Sequence, residues 1–175
     1  MKSSLESSLK HVAFGSFLAV FAAFGANSHA ATSTANLAVS ATVAANCTIS
    51  AGSVAFGAYD PIVANAAAAK TATGTVTTTC TNGSAAYITL SQGLHAAGGS
   101  TDAAPLRQMI SGTNALKYFL YSDLSSAVWG NTGSSGKADT GTGVASALTV
   151  YGSIPAAQNV PAGTYADTVV ATVTF

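Results

Sequence analysis

Cys47 and Cys80 are the only cysteines of this 175-residue chain. In a protein that matures outside the cytoplasm, an even pair fits one disulfide; two unpaired buried thiols are the alternative. On the chain-entropy view, a bridge closing a loop of this size stabilises the fold by about 3–4 kcal/mol. The other candidates for chemistry are sparse. Of the three histidines, His11 and His29 lie in the N-terminal segment and only His95 lies beyond it. One histidine is too few for a His-rich zinc or copper site within one chain. A Ser–His–Asp triad would have to use His95, in the glycine-rich stretch Gly93–Gly99, where a solvent-exposed loop histidine is the simpler reading. Beyond residue 30 the carboxylates are all aspartates: Asp60, Asp102, Asp123, Asp139 and Asp167. Each sits beside a turn or strand-edge signal, a poor setting for a catalytic carboxylate pair. Gly133-Ser134-Ser135-Gly136-Lys137-Ala138 lacks the glycine spacing and the hydroxyl residue after lysine that a phosphate loop needs. Asn46-Cys47-Thr48 and Asn82-Gly83-Ser84 match glycosylation spacing, which arises often by chance. Trp129, the single tryptophan, reads as a core residue or as an exposed stacking platform for sugars. The residues thus point away from an enzyme and call for no cofactor.

The elements that position these residues begin after residue 30. Lys2 and Lys10 precede an uncharged apolar run, Val12 to Phe24, and Ser28-His29-Ala30 supplies small residues before Ala31. This is the pattern of a secretory signal peptide over residues 1–30, too short to span a membrane comfortably; an uncleaved anchor is the alternative. No cysteine follows at the cleavage point, which argues against a lipoprotein. The rest is one domain's length. It keeps four basic residues, Lys70, Arg107, Lys117 and Lys137, against the five aspartates. Nucleic acid and acidic membranes need clustered Lys and Arg, so neither is an expected partner. So few charges suggest a surface that ends up largely covered by partners.

No long segment shows helical spacing. Period-two alternation recurs instead in Thr-, Val-, Ile- and Tyr-rich stretches separated by Gly, Asn, Ser and Pro, the signature of an all-β sandwich or barrel. Strands are expected at Ala35–Val43, from Cys47-Thr48-Ile49, at Val54–Gly57, and at Thr73–Cys80 with Val76, Thr78 and Cys80 on one face. Further strands are expected at Tyr87–Leu90, Leu116–Tyr121, Leu148–Tyr151 and Tyr165–Phe175. Ala64–Ala72 reads as a helical turn or as a loop, and Gly130–Gly143 as a polar, mobile loop.

The two ends pose a puzzle. Only Ala44-Ala45-Asn46 separates the first alternating segment from Cys47. A hairpin there is possible, but the linker has no glycine, and a departing arm is at least as natural. Such an arm, with Leu37, Val39, Ala41 and Val43 on one face, fits a groove beside the final strand of another copy. There backbone hydrogen bonds and alternate side chains would set its register.

Several motifs resemble the spore coat protein U-like domain family. They are Asn46-Cys47-Thr48-Ile49, Val54-Ala55-Phe56-Gly57 with Tyr59-Asp60-Pro61, and Val76-Thr77-Thr78-Thr79-Cys80. Leu116-Lys117-Tyr118-Phe119-Leu120-Tyr121-Ser122-Asp123 and Val150-Tyr151-Gly152-Ser153-Ile154-Pro155 follow, and the ending Pro161–Phe175 resembles that family most. The family includes subunits of archaic, Csu-type chaperone–usher pili. The resemblance implies an incomplete immunoglobulin-like sandwich over 47–175, completed by donor-strand exchange with an N-terminal arm and linker at 31–46. It implies a periplasmic pilus chaperone, an outer-membrane usher and other copies of the chain, or related subunits, as partners. The product would be a homopolymeric pilus at the cell surface, supporting adhesion and biofilm formation. Donation falls on Leu37, Val39, Ala41 and Val43, acceptance on the edge formed by Val169, Ala171, Val173 and Phe175. With one domain and a donor arm, the chain resembles a shaft or adaptor subunit. The competing expectation is a secreted, self-complemented sandwich that binds a ligand or serves as a surface-coat structural protein.

Overall fold

The computed structural model describes residues 30–175, and the signal-peptide reading falls almost wholly outside them. Among the described residues eight strands form: β1 (Cys47–Ala51), β2 (Lys70–Cys80), β3 (Ala85–Leu90), β4 (Arg107–Ser111), β5 (Asn114–Tyr121), β6 (Lys137–Thr140), β7 (Ser146–Ile154) and β8 (Ala171–Thr174). They make two antiparallel sheets, one ordered β1-β2-β7-β5-β4 and the other β6-β3-β8. The described residues are all-β, and the layers pack as an immunoglobulin-like sandwich.

Alternation explains which faces meet. On β2, Val76, Thr78 and Cys80 point inward; on β5, Leu116, Tyr118 and Leu120; on β7, Val150 and Ile154. Ile88 and Leu90 of β3 face them from the second sheet, and Trp129 closes the core at 0% exposure, its indole N–H donating to the Ile88 carbonyl at 2.7 Å. The polar end of a buried indole needs such a partner. Trp129 is therefore a core residue. The disulfide joins Cys47 to Cys80, which stand opposite each other in the β1–β2 register.

Several expected elements take another form. Strands β4 and β6 arise where the alternation was weak, β6 inside the stretch expected to be a loop. Both are sheet edges, which need only one hydrogen-bonded neighbour and carry little apolar patterning. Val54–Gly57 forms no ladder, and only Ala171–Thr174 of the final segment does. Residues 61–68 make turns ahead of β2, with no helix. Residues 30–46 form no strand either. Alternation alone cannot make one, because a strand exists only when its N–H and C=O groups find a neighbour.

Ala41–Phe175 is one compact unit. Within it the approach to β1 is tied to Thr81: its hydroxyl accepts from the Asn46 N–H at 3.1 Å, and its own N–H donates to the Asn46 carbonyl at 2.9 Å.

Candidate functional site: an open groove in the sandwich

β1 approaches β8 across the sandwich, and an opening lies beyond their facing ends. The chain that follows β1, residues 51–60, runs along one side, and residues 159–171 run along the other. Two cavities lie between them, of about 740 and 430 Å³, and both have Val54, Phe56 and Met109 in their walls. Together they form one groove whose floor is the core itself. Leu116 and Ile154 lie under its wider end, and Val76, Leu90, Leu120 and Val150 under its narrower end.

The first wall is held by close packing. Val54 and Phe56 lie directly over Gly74 and Gly152; a Cβ at Gly152 would stand 2.7 Å from Val54 Cγ1 and 2.8 Å from Phe56 Cζ. These glycines let the segment settle into the sheet without forming a ladder. Farther along, the Tyr59 hydroxyl donates to the Pro155 carbonyl at 2.7 Å and accepts from the Gln158 N–H at 2.9 Å. Asp60 caps the next turn, accepting from the N–H groups of Ile62 and Val63 at 2.9 and 3.1 Å. Those bonds hold its carboxyl below the usual carboxylate range.

The second wall is pinned to both sheets. Ala166 exchanges backbone hydrogen bonds with Ile110 of β4, at 2.9 and 3.2 Å. Farther on, the carbonyls of Thr168 and Val170 accept from the N–H groups of Leu94 and Ser91. Tyr165, Asp167, Val169, Ala171 and Val173 turn inward by alternation, and the residues between them are exposed.

One polar cluster interrupts this apolar groove. Asp167 reaches inward from the second wall, its side chain 1% exposed. Its Oδ2 accepts from the Tyr118 hydroxyl at 2.6 Å; its Oδ1 accepts from the Leu94 N–H at 3.0 Å and meets His95 Nδ1 at 3.1 Å. Beside Tyr118 in the β4–β5 register stands Arg107, itself 1% exposed. Its Nε donates to the Ser91 carbonyl at 2.8 Å, and its Nη2 donates to the carbonyls of Leu90 and Trp129 at 2.9 and 2.8 Å. Nη1 has no partner among the described residues. Burial lowers the Arg107 pKa to about 10, so it stays charged at neutral pH. Burial, and then the bond to Asp167, raise that of Tyr118 above its ordinary value. His95 and Asp167 thus form part of a structural clasp. Among the described residues no group of three or more His, Cys, Asp or Glu side chains could hold a metal.

The structure places the expected site residues as follows. Leu37, Val39 and Val43 are 88, 87 and 82% exposed, and Ala41 is exposed with them. Val169 and Ala171 line the groove, and Val173 packs on the core. Phe175 is exposed and lies outside both cavities. Sequence reasoning missed Val54, Phe56, Met109 and Tyr118 as groove residues, and Arg107 and Asp167 as its polar anchor. The one available signal was Arg107, a lone charge in an otherwise apolar or neutral stretch.

The profile of the Spore Coat Protein U domain family matches residues 33–172. Protein U of Myxococcus xanthus is 48% identical over 155 residues, covering 83% of this chain and 87% of that protein. Among solved structures, a chain in the crystal structure of the CsuC–CsuE complex is similar. That complex is a chaperone–tip adhesion subunit pre-assembly complex from the archaic chaperone–usher Csu pili of Acinetobacter baumannii. The TM-score is 0.56 at 25% identity, over 77% of this chain and 40% of that one. The chain therefore spans well under half of that solved chain. The family profile covers most of the sequence, and the 48% relative is matched over most of its own length; the chain belongs to the Spore Coat Protein U domain family.

Proposed function

We propose that this chain is a structural subunit of a surface pilus assembled by the chaperone–usher route, each copy filling the groove of the next with residues 37–43. The observation that carries this is the groove: a sandwich whose core residues floor an open channel between residues 51–60 and 159–171. Such a channel exposes apolar surface and unpaired backbone along its walls, and an extended segment satisfies both at once. Leu37, Val39, Ala41 and Val43 repeat at the spacing of one strand face and are exposed. Burying Leu37 and the two valines would contribute about 5–9 kcal/mol before ordering costs. Donation from copy to copy is head-to-tail and gives filaments unless a ring closes. The acceptor walls are then Val54–Tyr59 on one side and Tyr165–Ala171 on the other, with Val169 and Ala171 at the second edge. The likeness to a chain of a chaperone–subunit pre-assembly complex supports a periplasmic chaperone as the groove's first occupant and an outer-membrane usher as the exchange site. Export through the periplasm to the cell surface, and a role in adhesion and biofilm formation, complete the reading.

The test is assembly. Without its chaperone, the wild-type protein should form oligomers that survive SDS at room temperature and dissociate on heating. The Leu37→Asp/Val39→Asp double variant should remain a folded, disulfide-bonded monomer. A wild-type chain that stays a stable monomer, and unfolds when residues 31–45 are deleted, would establish self-complementation instead.

A further inference from the structure

A second concavity lies on the outer face of the first sheet, on the side away from the groove. Alternation sends Phe119 and Tyr121 of β5 to this face, with Tyr151 of β7 and Thr73 of β2. The ladder sets Thr73 beside Tyr151, and Tyr151 beside Tyr121. The rings of Phe119 and Tyr121 stack with centroids 6.0 Å apart and planes 18° from parallel.

The loop after β5 rises beside these rings and makes the surface concave. Its ends are joined by the Ser122 N–H donating to the Ala127 carbonyl at 3.1 Å, and Lys137 Nζ donates to the Ser122 carbonyl at 2.7 Å. Inside the loop, Asp123 Oδ1 accepts from both the N–H and the hydroxyl of Ser125, at 2.9 and 2.6 Å. These bonds lower the Asp123 pKa and keep the carboxylate ionised. The cavity is about 540 Å³, within the roughly 300–1,000 Å³ usual for small-ligand sites.

Its walls combine two kinds of surface. Tyr121 and Tyr151 offer ring area, while Asp123, Ser126, Thr73 and Ser153 offer oxygens. No lysine or arginine lines it. We propose that this concavity binds a neutral saccharide, a hexose ring lying against the two tyrosines with its hydroxyls on Asp123 and the neighbouring side-chain hydroxyls. The electron-rich ring face attracts the weakly positive C–H groups of a sugar. A carboxylate accepts sugar hydroxyls, and Ser and Thr both donate and accept. An acidic sugar would bring a second negative charge beside Asp123, with no lysine or arginine in the lining to receive it. The site stands apart from strand donation, because it uses the opposite face of the sheet.

Saturation-transfer NMR on the full chain tests it, with oligomers of glucose, mannose and galactose as probes and oligogalacturonate as the acidic control. Transfer to ring C–H protons of at least one neutral oligomer is expected, and none to the acidic one. Tyr121→Ala should abolish it, Tyr121→Phe should retain it, and Asp123→Asn should weaken binding by about 10-fold. Thr73→Trp, which fills the concavity while keeping both tyrosines, should also abolish it. Melting curves would identify any variant that fails to fold, leaving the others to decide. Absence of transfer from every neutral oligomer with folded wild type would overturn the proposal, as would transfer that persists in folded Tyr121→Ala and Thr73→Trp. Neither result bears on whether the chain polymerises.

Discussion

The Tyr118 hydroxyl donates to Asp167 Oδ2 at 2.6 Å, joining the middle of β5 to the inner face of the segment that leads into β8. That single bond crosses the groove floor to its second wall. Tyr118 also packs edge-on against Phe56 of the first wall, with ring centroids 6.3 Å apart at 64°. One side chain therefore touches both walls, and the width of the groove depends on it.

Tyr118→Phe should keep the ring and lose the bond. Hydrogen bonds to charged groups contribute about 1.5–3 kcal/mol, and a loss of that order is expected in urea unfolding at pH 7. The difference should shrink in alkali. The folded-state pKa of Tyr118 is raised, so its stabilising contribution is complete below the unfolded value near 10 and is lost as pH climbs beyond it. The gap between wild type and variant should narrow by about 1.4 kcal/mol per pH unit above pH 10. A gap that stays constant between pH 9 and 11, measured at about 25 °C, would refute the assignment.

Arg107 is the other anchor. Its guanidinium spans the carbonyls of Leu90, Ser91 and Trp129, which no shorter or single-headed cation can do. Arg107→Lys should therefore behave as a disruptive change, costing about 3–5 kcal/mol, because buried acceptors lose their donors. Denaturant melts would show it, and a loss below about 1 kcal/mol would mean that the carbonyls find other partners.

Gly152 is a test of the groove without touching either donor or polar residues. A methyl group there meets Val54 and Phe56 at under 3 Å, so Gly152→Ala must push the first wall outward. Overpacking of this kind costs about 1–3 kcal/mol. Oligomer formation should fall further than the melting temperature, since the displaced residues line the groove. Equal assembly by the variant and the wild type would argue that the first wall is not part of the acceptor.

The Cys47–Cys80 bridge closes a separation of 33 residues at the start of the sandwich. The Cys47→Ser/Cys80→Ser double variant should lose about 3–4 kcal/mol. Wild type in reductant should lose the same amount. A smaller loss would indicate that the β1–β2 ladder already restrains the unfolded chain.

What the sequence determined by itself follows from period and composition. Alternation along Thr73–Cys80, Leu116–Tyr121 and Leu148–Tyr151 marks the three central strands, because strands buried on one face must alternate. Two cysteines leave at most one bridge within the chain, and Leu37, Val39, Ala41 and Val43 repeat at the spacing of one strand face. The tertiary structure alone decided where the opening lies and what lines it. Edge strands such as Arg107–Ser111 and Lys137–Thr140 are recruited by a neighbour's backbone, which leaves little trace in side-chain order. Val54, Phe56, Tyr118 and Asp167 are far apart in the chain and become the walls and floor of one groove only when the two sheets pack. Local pattern chooses which face of a strand is apolar; the three-dimensional arrangement chooses which apolar faces are left without a partner.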